Sequence, residues 1–306
     1  MSETKYDVVI VGGGAAGLSA ALVLTRARRA VAVIDAGEPR NAAASHMQGF
    51  LSRDGMPPAE LLAAGRAEVA GYGGDLIDDR VVSAEPADRG FRIGLASGRT
   101  VHARRVLVAA GLRDELPALP GVRERWGRDV LHCPYCHGYE VAHRPLGILG
   151  GTEPGALERA VHLALILPQW SGDVVFFPHT MTVSDTDRQR LAARGVKIVE
   201  GEVARLVVAD DALRGVELVD GSAVPRAAVF VASTMIPDNA VLNALGCDLD
   251  PKGWVVADPA GRTSVAGVWV AGNVADPRMQ VITAAGAASA AAIAINGDLV
   301  EEDSRL

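Results

Sequence analysis

"YDVVIVGGGAAGLSAALVLTRARRAVAVIDAG", residues 6–37, decides the fold. The apolar, β-branched run from Val8 to Val11 reads as a strand buried on both faces. A glycine turn follows, and then "LSAALVLTRARR", a helix with basic residues at its C-terminal end. "AVAVIDAG" is the next strand, ending at Asp35. Gly12, Gly14 and Gly17 have the spacing of a dinucleotide-binding turn, and Asp35 is the acid expected about 20 residues later. Each position has a physical task. Gly12 permits the tight turn, Gly14 lets a pyrophosphate approach the backbone, and Gly17 lets helix and strand pack closely. The helix N-terminus, at Ala15 and Ala16, holds the phosphates, and Asp35 can accept from ribose hydroxyls.

From 75 to 111 the chain reads as short strands. Alternation in "FRIGL" and the turn "ASGRT" predict an antiparallel hairpin, after which "RVLVAAG" returns to the main sheet and ends at Ala110 and Gly111. "LRDELPALPG" has the polar, proline-bearing character of a linker. A second strand–turn–helix unit begins at "PLGILGGTEPGALERAVHLALIL" and continues into the strand "DVVFFP". Its fingerprint is damaged: Gly150, then Thr152 where a second glycine belongs, then Gly155. The chain returns with "GVWVAGNVADP" and "MQVITAAGAASAAAIAING". That strand–helix junction places Gly272, Asn273 and the helix start at Gln280 and Val281 on the carboxyl edge of the sheet, where such sheets bind ligands. The expected fold is α/β, with two Rossmann-like three-layer nucleotide-binding domains, the second inserted into the first.

The 306 residues are 49% hydrophobic and 22% charged, enough for two cores. A net charge of −7 leaves no basic footprint for nucleic acid or an anionic membrane. "RARR" at 26–29 is a solvated helix end. "MSETKYDVVIVGGG" passes from a polar start directly into a strand, without the pattern of a secretory signal. "VITAAGAASAAAIAI" is too short an apolar stretch to span a bilayer. The expected setting is a reducing cytoplasm.

The three cysteines are Cys133, Cys136 and Cys247. "LHCPYCHGYE", residues 131–140, sets two of them in a CxxC with a histidine directly after. The pair reads as half of a zinc site, as a redox disulfide, or as a chance pair in a loop. Zinc needs two further ligands, and Cys247 has no CxxC or HxxxH partner, so redox chemistry is the favoured reading. Pro134 suits a first helical position with Cys133 as its cap, where the helix dipole lowers a thiol pKa. His137 is read as a general base or acid for thiol–disulfide exchange, with a plain loop residue as the alternative. His132 reads as structural, Glu140 as a possible hydrogen-bonding neighbour, and Cys247 as a small buried hydrophobe.

Taken together, "VVIVGGGAAGLSAA", "VLVAAG", the CxxC and "TSVAGVWVAGNVADPRMQVITAAG" resemble the low-molecular-weight thioredoxin reductases of the pyridine nucleotide–disulfide oxidoreductase group. The resemblance implies an FAD domain at 1–113 and 245–306, and an inserted NAD(P)-binding-like domain at 114–244 carrying the CxxC. It also implies a homodimer. Cys136 would face the flavin and Cys133 would exchange with substrate. Gln280 and the helix start after Pro277 would meet the pyrimidine end of the isoalloxazine. His46 and Gln48 would line the flavin edge, or else belong to a capped connection into the helix at "PPAELL".

Three departures stand out. Thioredoxin reductases carry an acid where this chain has His137, and usually an aspartate where it has Asn273. Their NADPH loop is an intact GxGxxA followed by a basic cluster. Here Glu153 would face incoming phosphates, and after the strand "FFPHTMTVSDTD" offers only His179 as positive charge. "CPYCHGYE" and "AGNVADP" are similar to the FAD-dependent dithiol oxidases that close disulfides in gliotoxin- and holomycin-type natural products. That similarity implies a small-molecule dithiol as substrate, O2 as acceptor, hydrogen peroxide as product, and weak or no use of NADPH. The alternatives are an NADPH-dependent thioredoxin or disulfide reductase, one fed by a protein donor, and a redox-sensing flavoprotein without turnover.

Overall fold

The computed structural model describes residues 5–151 and 155–305. β1 (Lys5–Val11) runs into α1 (Ala15–Arg26), and β2 (Val31–Asp35) lies parallel to β1 with Val8 opposite Val31 and Val11 opposite Ile34. Then come α2 (Pro58–Gly71), β3 (Asp75–Asp78), β4 (Val81–Ala87), β5 (Gly90–Leu95), β6 (Thr100–Val108) and β7 (Leu112–Glu115). The inserted stretch holds α3 (Val122–Arg125), β8 (Val130–Leu131), α4 (Pro134–His137), β9 (Leu146–Leu149), α5 (Ala156–Ile166), β10 (Val174–Phe177), α6 (Asp185–Ala193) and β11 (Lys197–Ile198). It closes with β12 (Val203–Ala209), β13 (Ala212–Leu218), β14 (Ala223–Pro225) and β15 (Ala228–Val231). β16 (Thr234–Pro237), α7 (Ala240–Ala244), β17 (Val268–Val270) and α8 (Val281–Asp303) complete the chain.

Two units result: residues 1–113 with 236–306, and residues 114–235. The first is built on a sheet of order β3-β2-β1-β6-β5-β4, with β17 also paired to β6. β6 divides its free edge. Thr100–Ala103 pairs antiparallel with β5, while Val106–Val108 pairs parallel with β17. The central strands β1, β2 and β17 are buried on both faces, which is why they read as apolar runs, whereas β4 and β5 alternate or lie exposed. Val8, Ile10, Val33, Leu107 and Trp269 pack with the apolar faces of α1 and α8, whereas Val9, Val11, Ile34, Val108 and Val270 pack on the opposite side. The C-termini of β1, β2, β6 and β17 all reach one edge, which is the edge that carries the glycine turn.

The second unit has a parallel sheet of order β11-β10-β9-β15-β8 and an antiparallel sheet β12-β13-β14. Leu146, Ile148, Phe176 and Phe230 face the helical layer of α5 and α6; Leu149, Val175, Phe177 and Val229 face β12 and β13. Arg125 is 4% exposed and ties α3 into this layer. It donates twice to Asp129 (2.8 and 2.6 Å) and once to Asp211 (2.7 Å), and Asp129 also accepts the Leu213 N–H.

Several expectations need correction. The return to the first unit falls at 235/236, not 244/245, because Val241, Leu242 and Leu245 pack into the first unit's core. The stretch read as a linker contains β7, which pairs with β16. The N-cap of α2 is Pro57, which makes no side-chain capping bond. α8 is longer than its apolar stretch: by length and composition alone its 23 residues would cross a bilayer. One face of it packs in the first unit's core. Ala284, Ala288, Ala291, Ala292, Ile295 and Leu299 are buried, and Asp298, Glu302 and Asp303 form ion pairs with Arg104 and Arg105.

Candidate active site

At the carboxyl edge of the first sheet the glycines do what their spacing requires. Gly12 has φ +103°, and a Cβ there would collide with the Ala109 carbonyl, so only glycine lets this turn pass beside the end of β6 near Ala110. A Cβ on Gly17 would strike the Gly12 carbonyl, so this residue sets α1 tight against its own turn. Gly14 caps α1, and a Cβ there would meet nothing within 4 Å. That open space adjoins a helix start with no side-chain cap and no acid in its first turn. The amides near Ala15 and Ala16 are therefore available to an anion, and the cradle fits a pyrophosphate. Asp35 accepts the Gly13 N–H at 3.0 Å through one oxygen. The other lies 3.7 Å from Arg66, which leaves it able to accept from a ribose.

The remaining first-unit residues gather at the same edge. Gly111 (φ +77°) follows β6. Gly272 (φ +81°) follows β17, and its missing Cβ makes room for Ala16, whose Cβ would lie 2.9 Å from it. Asn273 lies at this edge too, and its amide is engaged on one side. Its Nδ2 donates to the carbonyls of Asp276 (3.1 Å), Pro277 (3.3 Å) and Met279 (2.9 Å), fixing the loop that enters α8. Only Oδ1 remains for a ligand. Gln280 caps α8 through its backbone, Val281 opens the helix, and no acid occupies the first turn. A Cβ on Gly49 would lie 3.3 Å from Gln280 Oε1, so the loop carrying Gln48 runs next to Gln280. Gln48 is half-buried there and His46 is exposed. These residues fit FAD: a pyrophosphate cradle, a carboxylate for ribose, and a second uncapped helix start suited to negative charge.

The CxxC lies in the second unit. Cys133 and Cys136 are joined as a disulfide with Cα atoms 5.3 Å apart. Cys133 is the cap of α4 and Pro134 its first residue, as the sequence predicts. The Cys136 N–H points at Cys133 Sγ at 3.2 Å, a contact that stabilises a thiolate there once the bond opens. His137 ends the same turn. Burial pushes its pKa below the ordinary histidine value, with Glu140 pulling weakly the other way. Its imidazole is therefore neutral at pH about 7, the form a general base requires. His132 stacks on Trp126 at 5.4 Å, and Cys247 is buried in the first unit's core beside Thr263.

Sequence reasoning did not find Trp170. A Cβ on Gly138 would lie 2.9 Å from its indole, so Gly138 lets Trp170 sit against the CxxC turn. Tyr135 meets the same indole edge-on, with centroids 5.9 Å apart. Nothing local could have signalled this, because Trp170 enters from beyond α5.

The second nucleotide turn follows β9. Thr152 and Glu153 lie outside the described residues; Gly155 takes φ +75° at the cap of α5. His179 is not the cation expected. Its Nδ1 accepts the Val203 N–H at 2.9 Å, and burial lowers its pKa, both of which favour neutral imidazole. In α6, Arg188 pairs with Glu200 and Arg190 with Asp187. The sequence reading overlooked Arg159 in α5. Its Nε and Nη2 are buried with no hydrogen-bond partner among the described residues.

Comparison with known proteins agrees with this architecture. The pyridine nucleotide-disulphide oxidoreductase profile matches residues 6–289. The crystal structure of HlmI superposes with a TM-score of 0.93 at 56% identity, covering 97% of this chain and 93% of HlmI. The crystal structure of the putative thioredoxin reductase TrxB from Bacillus anthracis gives 0.91 at 33% identity, covering 97% and 99%. Thioredoxin reductase sirT of Leptosphaeria maculans is 30% identical, over 95% of this chain and 93% of its own. The chain belongs to the pyridine nucleotide-disulphide oxidoreductase family and, within it, to the FAD-dependent, thioredoxin reductase-like oxidoreductases.

Proposed function

We propose that this enzyme is a dithiol oxidase: it closes an intramolecular disulfide in a small-molecule dithiol, with O2 as the electron acceptor and hydrogen peroxide as the product. The observation that carries the reading is a neutral, half-buried His137 in the same turn as the Cys133–Cys136 disulfide. His137 takes the proton from one substrate thiol. The resulting thiolate attacks Cys133 Sγ, the Cys133–Cys136 bond breaks, and Cys136 leaves as a thiolate. The second substrate thiol, deprotonated in turn, attacks the substrate sulfur bound to Cys133 and expels Cys133 as a thiolate. That thiolate forms beside the Cys136 N–H. FAD, when bound, supplies the two-electron chemistry that re-forms the cysteine disulfide and delivers the pair, with two protons, to oxygen. The sum is one dithiol and one O2 converted to one disulfide and one hydrogen peroxide.

Support for independence from NADPH comes from the stretch after β10, where His179 is a neutral acceptor and the arginines of α6 are paired. Each missing charge-assisted contact costs about 1.5 to 3 kcal/mol. Two together weaken binding by roughly a hundredfold or more. A second reading, an NADPH-dependent disulfide reductase, is favoured by Arg159, whose buried nitrogens would suit a phosphate. Anaerobic stopped-flow absorbance separates the two. A small dithiol bleaches the flavin quickly, sub-millimolar NADPH does so slowly or not at all, and readmitted oxygen restores the yellow colour with peroxide. Fast bleaching by NADPH coupled to disulfide reduction would make the protein a reductase.

A further inference from the structure

The loop that leads into α2 is exposed at residues 51–54, yet its shape is tightly specified. Backbone bonds close it. Met47 donates to the Met56 carbonyl and Gly55 to the Met47 carbonyl, each at 2.9 Å, and Arg53 donates to the Phe50 carbonyl at 2.8 Å. Gly49, Ser52 and Gly55 all take left-handed φ, +77°, +73° and +78°. Ser52 carries a side chain, so that conformation is strained there and persists only where the surroundings enforce it. Asp54 supplies part of the enforcement: its Oδ1 accepts the Gly49 N–H at 2.7 Å. An ionised acceptor makes this bond stronger than a neutral one. Gly49 also approaches the start of α8. A Cβ on it would lie 3.3 Å from Gln280 Oε1, so the missing side chain lets the loop come this close. Asp54, Gly49 and the Gln280 amide thus form one chain of contacts.

We propose that Asp54 is a positioning residue for the flavin: by holding Gly49 it keeps the loop against Gln280, fixes that amide beside the pyrimidine end of the isoalloxazine, and so raises the flavin's reduction potential. The proposal rests on the isoalloxazine lying at the start of α8. It stands whether electrons come from a dithiol or from NADPH. With Oε1 turned toward Gly49, the Gln280 amide offers Nε2 as a donor. The pyrimidine end gains negative charge on reduction, so a fixed donor there binds the reduced form more strongly than the oxidised one. An amide free to turn loses that preference. Asp54 acts here through geometry and not through its charge. An anion by itself would lower the potential by disfavouring further negative charge, and the exposure of Asp54 leaves that effect screened. The two roles therefore have opposite signs.

The test uses the FAD-loaded protein and its Asp54→Ala, Asp54→Asn and Gln280→Leu variants, with the Asp54→Ala, Gln280→Leu double variant. The flavin is titrated anaerobically with dithionite against a reference dye, which gives its midpoint potential without any dithiol or NADPH. Asp54→Ala should weaken the binding of reduced FAD about tenfold more than that of oxidised FAD, which lowers a two-electron potential by about 30 mV. Asp54→Asn keeps an oxygen for the Gly49 N–H, and its ratio should stay within about threefold of the parent. Gln280→Leu should match Asp54→Ala, and combining them should add less than about twofold, because both remove one interaction. Potentials that rise, that stay at the parent value, or that shift equally in the two Asp54 variants overturn the proposal. Full additivity in the double variant does so too. If Gln280→Leu alone holds FAD at the parent potential, the isoalloxazine lies elsewhere and the proposal falls with that placement. Should Asp54→Ala fail to retain FAD, chymotrypsin cleavage after Phe50 is followed in the apoproteins. Asp54→Ala should be cut about tenfold faster than Asp54→Asn, which should be cut like the parent, and equal rates overturn the proposal.

Discussion

His137→Asn tests the proton-transfer step directly. Burial holds the His137 imidazole neutral, with its pKa below the ordinary value of about 6.5. In the parent enzyme the base is therefore in working form at neutral pH, and activity is lost only as the pH falls through that lowered pKa. Asparagine keeps a polar side chain of similar reach but accepts no proton. The variant must rely on substrate that is already thiolate. An alkyl thiol of pKa about 8.5 is roughly 3% ionised at pH about 7 and half ionised at its pKa. The expected loss in kcat/KM is thus about thirtyfold at neutral pH, shrinking to about twofold near pH 8.5. The variant profile should climb close to tenfold per pH unit over the range in which the parent is flat. Anaerobic bleaching of the flavin by dithiothreitol, measured from about pH 5.5 to about pH 9.5, reads both profiles directly. Parallel profiles offset by a constant factor would show that His137 shapes the turn without moving protons. Superimposed profiles would remove it from the mechanism.

Gly17→Ala places a Cβ into the Gly12 carbonyl, so the cradle must open; the protein should purify largely without flavin and melt several degrees lower, and full FAD occupancy would refute the role assigned to that glycine. Asn273→Asp exchanges a donor to three carbonyls for a carboxylate facing them. At about 0.5 to 1.5 kcal/mol per lost bond, FAD affinity should fall about tenfold or more, read by the fluorescence of released flavin; unchanged affinity would make the loop indifferent to its amide. Arg125→Met leaves the half-buried Asp129 without its bidentate partner. Unfolding in urea should show a loss of about 3 to 5 kcal/mol, which Arg125→Met with Asp129→Leu should partly restore. A single variant as stable as the parent would show the pair to be solvated.

Both Rossmann-like units were legible because each rests on local signals: an apolar run, a glycine-bearing turn, and a helix. The CxxC turn was legible for the same reason, down to Cys133 as cap and Pro134 as first helical residue. What escaped depended on distant partners. The five-residue α7 is too short to show a period, so its place in the first unit's core emerged only from the packing of Val241 and Leu242. β7 reads as a polar linker because its pairing partner, β16, lies more than a hundred residues away. His179 was read by its side-chain type alone, whereas its charge is set by a backbone amide from Val203. Asn273 was read against an aspartate in relatives, and the hold of its Nδ2 on carbonyls a few residues downstream has no signal in that comparison.

The division of β6 between β5 and β17 governs how the chain folds as it is made. α1 emerges early with the apolar face formed by Ala16, Leu18, Ala20, Ala21 and Leu24, yet the helix that covers this face, α8, begins at Val281. At about 5 to 20 residues per second, ribosomes need roughly ten to fifty seconds for the intervening stretch. For that interval only α2 covers α1, and from its own synthesis until β17 follows, about 160 residues or roughly 8 to 32 seconds, the C-terminal half of β6 has an open edge at Val106–Val108. The second unit, by contrast, is continuous in sequence and can close as soon as its last strand leaves the exit tunnel. Synthesis thus produces a finished domain suspended from an unfinished one. The nascent chain carries a sticky strand edge for about half of its translation, a natural target for a chaperone that holds the N-terminal segment until β17 arrives.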